Sequence, residues 1–290
     1  MIALQSSRSE MKVGQALSWG IRNLVARGVS SPRLDAELLL SHVLGCSRAG
    51  LYARWKEPLK HEMALAYTRL IRRRANFEPV AYLVGHRAFY DVDLEVNPSV
   101  LIPRPETEHL VEAALDWALN VKGPLRVVDV GTGSGALAVV LARRLPHAQV
   151  YAVDISKEAL QVARQNARRY GVDVRFVCSD LLTALSGPFD LIVANLPYVP
   201  SAELDQLAPE LWFEPRVALD GGQDGLVVVQ RLIDSLSAYL ACPGLALLEI
   251  DHRQVAAVLS RLGKKFPEAR VHVSKDLAQL DRVIHVERGK

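Results

Sequence analysis

Cysteine is scarce in this chain: Cys46, Cys178 and Cys242 are the only three among 290 residues, and no two form a Cys-x-x-Cys pair. An odd, scattered set is poor material for a disulfide framework or a zinc site; it suits a reducing cytoplasm and predicts buried structural thiols. Long apolar runs are missing too. None approaches the ~18 residues of a bilayer span, which excludes a spanning protein. The opening residues, MIALQSSRSEMK, carry neither the apolar core nor the small-residue cleavage site of a signal peptide, so the expected location is cytoplasmic. Internal repeats and low-complexity segments are absent. Half the residues are hydrophobic and 23% are charged, an ordinary globular composition. That length accommodates one large domain or two modest ones, with a core that needs no covalent staple.

The net charge of +3 conceals an asymmetry. Residues 1–90 carry 14 Lys and Arg against 6 Asp and Glu, whereas residues 91–290 carry 21 against 26. A basic front and a mildly acidic back suggest two units, the first facing an anionic partner or simply solvating its helices.

Apolar residues three and four apart at Val13, Ala16, Leu17, Ile21, Leu24 and Val25 predict a first helix. Ser31-Pro32 offers a cap and a proline for a second, continued by Leu34, Leu38, Val43 and Leu44. A third spans 61–74, with Tyr67, Leu70 and Ile71 inward and Arg72, Arg73 and Arg74 at its end, where cations complement the helix dipole. These short helices read as a small bundle. Beyond Pro79 the pattern changes. Residues 86–102 alternate, with Phe89, Val92, Leu94 and Val96 on one side, as in a hairpin. Short apolar runs at 125–130, 150–153, 174–177, 189–194 and 245–250 then alternate with helical stretches at 136–145, 157–170 and 227–240, and 271–273 and 282–286 close the chain. Buried strands alternating with helices imply an α/β fold with a mostly parallel sheet covered on both faces.

The first of these strands runs into Gly131-Thr132-Gly133-Ser134-Gly135 and directly on into a helix. Glycines there let backbone approach a ligand at the carboxyl end of the strand. The spacing matches neither the dinucleotide fingerprint nor a phosphate-binding P-loop, and steric need alone makes many such turns glycine-rich. The next strand ends in Asp154, 23 residues after Gly131. An acid at that tip can accept from both hydroxyls of a ribose, or it can cap the following helix. Glycine turn and acid together point to a nucleoside-containing cofactor. Ser179-Asp180 ends the third strand, where the Asp180 carboxylate can take an adenine amino group and Leu181 or Leu182 can cover the ring; a capping role is the alternative.

The fourth strand ends in Asn195-Leu196-Pro197-Tyr198. The Asn195 side-chain oxygen and the Leu196 carbonyl can each accept one N–H of a substrate –NH2, and Tyr198 offers a face for a planar group. Holding both hydrogens aims the nitrogen lone pair at an electrophile held in line.

Together, Gly131–Gly135, Asp154, Asp180 and Asn195–Tyr198 resemble the class I S-adenosylmethionine-dependent methyltransferases that modify planar nitrogens. Their usual tetrapeptide is Asn-Pro-Pro-Tyr; Leu196 departs from it. Asn-Leu-Pro-Tyr is similar to the form in ribosomal-RNA adenine dimethyltransferases, which keeps adenine open as an acceptor. The flanks favour another branch. Leu101-Ile102-Pro103-Arg104-Pro105-Glu106-Thr107-Glu108 resembles the release-factor glutamine N5-methyltransferases, as do Glu78–Gly85, Glu214–Leu219 and Gly221–Leu226. The related ribosomal-protein glutamine methyltransferases differ after Ile-Pro-Arg. A second departure is Asp251, where the family usually has glycine.

The resemblance spans essentially the whole chain. It implies a Rossmann-like sheet with an antiparallel last strand, preceded by a helical substrate-docking domain over 1–84 and a hairpin connector over 85–101, with the methyltransferase domain over 102–290. It implies S-adenosyl-L-methionine as cofactor, S-adenosyl-L-homocysteine as product and no metal. The cofactor would lie against Gly131, Thr132, Gly133, Ser134, Gly135, Asp154, Asp180, Leu181 and Asn195, and the acceptor against Asn195, Leu196, Pro197 and Tyr198. The implied substrate is the glutamine of the Gly-Gly-Gln loop in class I peptide-chain release factors, a protein partner, with no membrane and no nucleic acid required. Gly221-Gly222-Gln223 of this chain repeats that tripeptide, and its expected role is a turn into the helix that follows. The rival readings are an N6-adenine methyltransferase of RNA or DNA and a nucleotide-binding scaffold without chemistry.

Overall fold

The structure, a computed structural model, describes residues 11–289; the reading of the first ten residues lies outside it. Contacts divide these residues into two units, one reaching to Gly85 and including Pro209–Phe213, the other comprising the rest.

The first unit is helical. Helix α1 (Val13–Val25) begins where the Lys12 N–H donates to Gln15 Oε1, and α2 (Pro32–Leu44) carries its proline in the first turn and stops at Gly45, whose φ of 59° continues no helix. Helices α3 (Arg48–Ala53), α4 (His61–Arg74) and α5 (Val80–Val84) complete it. Leu17, Leu24, Leu39, Leu40, Tyr67 and Ile71 close its core. The arginine run at the end of α4 is largely not a free cationic patch. Arg74 is buried, donating to Asp35 at 2.7 Å and to Glu210 at 2.8 Å, and Arg73 is paired with Glu78.

The second unit opens with a hairpin, β1 (His86–Phe89) and β2 (Val92–Glu95), followed by α6 (Glu108–Ala118). Then come β3 (Leu125–Val130), α7 (Ala136–Arg144), β4 (Ala148–Asp154), α8 (Lys157–Arg169), β5 (Val174–Cys178) and β6 (Phe189–Asn195). Short 3-10 turns fill much of 201–218, ahead of α9 (Val227–Tyr239), β7 (Leu240–Glu249), α10 (Val255–Lys265), β8 (Arg270–Lys275) and β9 (Asp281–Arg288). The seven-stranded sheet runs β5-β4-β3-β6-β7-β9-β8; β9 is antiparallel to both neighbours, and the other pairings are parallel.

Strand periodicity sorts the side chains between two faces. Val127, Leu191, Val193, Leu245 and Leu247 pack under α6 and α7, whereas Val128, Val130, Ile192, Ala194, Ala246 and Leu248 pack under α9 and α10. The hairpin is part of this unit. Phe89, Val92 and Leu94 enter the first core, and the fully buried Asn166 of α8 bonds both the N–H and the carbonyl of Glu95. The expectation of buried thiols is wrong: Cys178 and Cys242 are exposed and Cys46 is half-buried. Cys178 ends an edge strand, where no neighbour covers it on the far side. Among the described residues no helix is long and apolar enough to cross a membrane.

Candidate active site

All the chemistry-bearing turns emerge at the carboxyl ends of neighbouring parallel strands, because β3, β4, β5 and β6 point the same way and sit side by side. Gly131, Gly133 and Gly135 have φ of 75°, 53° and 83°. A side chain at Gly131 would stand 2.9 Å from Leu196 Cδ2, and one at Gly135 would crowd Ala163 of α8. So Gly131 lets the β6 turn approach and Gly135 lets two helices approach, while Gly133 faces open space.

A cavity of about 620 Å³ opens above these turns, a size suited to a ligand larger than a nucleoside. Gly131, Gly133, Asp154, Asp180, Leu181, Asn195, Leu196 and Pro197 line it. Thr132, Ser134, Gly135 and Tyr198 do not. Thr132 turns inward and donates to Asp129 Oδ2 at 2.6 Å, and Ser134 is buried beneath the turn. Its carbonyl accepts from Asn166 Nδ2, so the same amide that holds the hairpin also holds the glycine turn.

Asp154 accepts from the Gly133 N–H at one oxygen and from the Ser156 N–H at the other, each at 2.9 Å. Burial raises its pKa against these bonds. Capping of α8 falls to Ser156, whose hydroxyl accepts from Ala159 N–H. Asp180 gives Oδ2 to Arg231 at 2.6 Å, which leaves its second oxygen to meet an amino group. Leu181, at φ 51°, forms part of the wall beside it.

Sequence reasoning passed over three buried residues. Asp129, the last acid of β3, is pushed up to about 7 by burial, against bonds from Thr132 and the Ala138 N–H, and its Oδ1 has no partner. Glu249, the last residue of β7, is likewise raised to about 7 by burial; hydrogen bonding from Thr107 and Asn195 and the charge of Arg282 pull it down, and Glu106 pushes it up. Its Oε2 is also unpartnered. Thr107 accepts from Asn195 Nδ2 at 2.9 Å. Tyr198 lies beside this group, its hydroxyl pKa pushed up to about 12 by burial and by Glu249.

The flanking motifs lock onto each other. Glu214 accepts from the Ile102 N–H at 3.0 Å and from Arg104 Nη2 at 2.6 Å, so two of the segments that carried the family likeness form one clamp beside the cavity. Asp251 lies outside the cavity lining and caps the turn before α10 by accepting from Arg253 N–H. Gly221 and Gly222 form the turn ahead of α9: the Val227 N–H donates to the Gly221 carbonyl and the Ser201 N–H to that of Gly222.

A sheet of this order, with a glycine turn after its first strand, an acid ending the second and Asn-x-Pro-Tyr ending the fourth, defines the class I methyltransferases. Comparison with known proteins agrees: residues 15–85 match the family described as PrmC N-terminal domain, and 113–266 match Methyltransferase small domain. The chain is 38% identical to the release factor glutamine methyltransferase of Rhodopirellula baltica, over 99% of this chain and 100% of that protein. It is 44% identical to the enzyme of that name from Moorella thermoacetica, over 86% and 88%. The chain belongs to the release factor glutamine methyltransferase family. Among solved structures it is similar to a ribosomal protein L11 methylase from Lactobacillus delbrueckii subsp. bulgaricus, with a TM-score of 0.50, 25% identity, and 67% and 84% of the two chains covered. A methyltransferase from Pyrococcus furiosus shares the fold at a TM-score of 0.50 and 18% identity, over 77% and 98%.

Proposed function

We propose that this chain transfers a methyl group from S-adenosyl-L-methionine to the side-chain amide nitrogen of the glutamine in the Gly-Gly-Gln loop of class I peptide-chain release factors, tuning translation termination in the cytoplasm. The observation that carries the reading is Asn195. It stands at the cavity wall beside the glycine turn with its nitrogen already bonded to Thr107, so its oxygen is left for an acceptor –NH2. Full-length likeness to proteins named for this reaction supports the choice of glutamine.

When bound, the cofactor supplies a methyl on a positively charged sulfur. Gly131 and Gly133 would border its amino-acid portion, with the free oxygen of Asp129 nearby as an acceptor, Asp154 its ribose, and Asp180 with Leu181 its adenine. Asn195 Oδ1 and the Leu196 carbonyl hold the two amide protons of the glutamine. Held so, the nitrogen lone pair would face the methyl that the bound cofactor would supply, and the methylated nitrogen would give up its extra proton to solvent once the product leaves the site. An amide nitrogen is a poor nucleophile, so orientation and exclusion of water are the sources of rate. No residue of this chain needs to act as a nucleophile or hold a metal.

The helical unit is the proposed docking element for the protein substrate, through its basic surface. With Arg73 and Arg74 already paired, Arg72 is the member of the run left to face a partner. The KM for release factor should therefore rise with salt; an identical KM at low and high salt removes this role.

Peptide mass spectrometry of a release factor incubated with the protein and S-adenosylmethionine tests the reading. One added methyl on the Gly-Gly-Gln peptide is expected. An unmodified peptide beside demonstrated cofactor binding would transfer the case to adenine in RNA or DNA.

A further inference from the structure

We infer that Thr107 and Glu249 are positioning residues that lock the Asn195 amide with its nitrogen turned into the protein and its oxygen turned to the acceptor. Strand parity brings the three together. Leu191, Val193 and Asn195 share one face of β6, Leu245, Leu247 and Glu249 share the same face of β7, and the register pairs Asn195 with Glu249 directly. That face is the one α6 covers, and Thr107 is the residue immediately ahead of α6. Thr107 and Glu249, 142 positions apart in sequence, thus converge on a single amide, Thr107 at 5% exposure and Glu249 at 2%.

The chemistry of this group is directional. An ionised carboxylate only accepts, so Glu249 requires both the Thr107 hydroxyl and the Asn195 –NH2 to donate toward it. A Thr107 hydrogen turned toward Glu249 would leave Oγ1 only lone pairs to offer, and that oxygen accepts from Asn195 Nδ2 at 2.9 Å. The two orientations of an asparagine amide are nearly isosteric, and without this group nothing would choose between them. In the wrong one, –NH2 faces the acceptor's –NH2, donors meet donors, and the acceptor nitrogen is not held. Charged and titratable neighbours of Glu249 are Arg282 on β9, Glu106 in the turn before α6 and Tyr198 after β6.

The inference rests on the proposed function only in requiring an –NH2 acceptor. The test uses the full chain with S-adenosylmethionine and whichever acceptor the wild type methylates, comparing Thr107→Val, Thr107→Ser and Glu249→Gln. Thr107→Val, which keeps the shape and loses the hydroxyl, should lower kcat by about 10- to 100-fold with cofactor Kd unchanged, and Thr107→Ser should restore most of it. Glu249→Gln should lower kcat and flatten its rise with pH near neutrality. A Thr107→Val enzyme with wild-type kcat, a serine variant as slow as the valine variant, or a cofactor affinity that falls in step with kcat would each overturn the inference. A wild type that leaves glutamine unmodified but methylates adenine overturns the proposed function instead and leaves these ratios to be read on adenine.

Discussion

Both units bury carboxylates, but two at the strand ends of the sheet unit are held differently from those of the helical unit. In the helical unit, Asp35 meets Arg74, and Glu37 receives Arg48, Arg33 and the Tyr52 hydroxyl. Burial raises the Glu37 pKa, but those donors outweigh it and leave the group lowered. In the sheet unit, Asp129 and Glu249 each keep one oxygen without a partner and both are raised to about 7. Buried charge that serves only the fold is compensated, because an unpaired ion costs several kcal/mol. Buried charge left half-satisfied marks the place where the protein orients groups for chemistry.

The comparison can be broken most sharply at Asn195. Asn195→Ala should reduce turnover by about 100-fold or more while cofactor binding, read by calorimetry, stays intact; near-normal turnover would remove the site assignment. On the helical side, Arg74→Met should leave Asp35 and Glu210 without their cation and cost about 3–5 kcal/mol in urea unfolding, without a matching loss at the cofactor site. A stability change near zero would show that this burial is not what holds the unit.

pH then separates the two kinds of carboxylate. A raised group such as Glu249 contributes stability that is complete below its unfolded pKa near 4.5 and is lost as pH rises through about 7. A lowered group such as Glu37 contributes stability present above 4.5 that is lost as pH falls through its lowered folded value. Glu249→Gln should accordingly flatten the decline of Tm between pH 5 and pH 8, and Glu37→Gln should lower Tm at neutral pH and much less in acid. Identical Tm profiles for the two variants would erase the distinction. The smallest effect belongs to Asp251→Gly, which removes a cap outside the cavity lining: stability should fall by on the order of a few tenths of a kcal/mol, with kcat unchanged.

Much of this was legible because local pattern and ligand chemistry coincide at strand ends. The short, mostly apolar run Leu125–Val130 read as a buried strand, and the glycines after it as its turn. Asp154 and Asn195 were visible for the same reason, as polar residues stopping apolar runs. Helices α6 and α10 went unread: the first follows a proline-rich stretch, and the second begins within a 3-10 turn capped by Asp251. Thr107 and Glu249 were hidden because their meaning lies in strand register and face, which no local window contains. The burial of Arg74 was hidden because its partners sit 39 and 136 positions away. The exposed thiols were misjudged from residue type alone.

Asn166 bears on where the chain can be cut. Its one side chain grips β2 and the glycine turn together, so the hairpin is a strut of that turn. A shortened catalytic fragment that begins at Ile102 would strip that amide of its two bonds to Glu95 and slacken the loop it is meant to preserve. One that begins ahead of His86 keeps both grips.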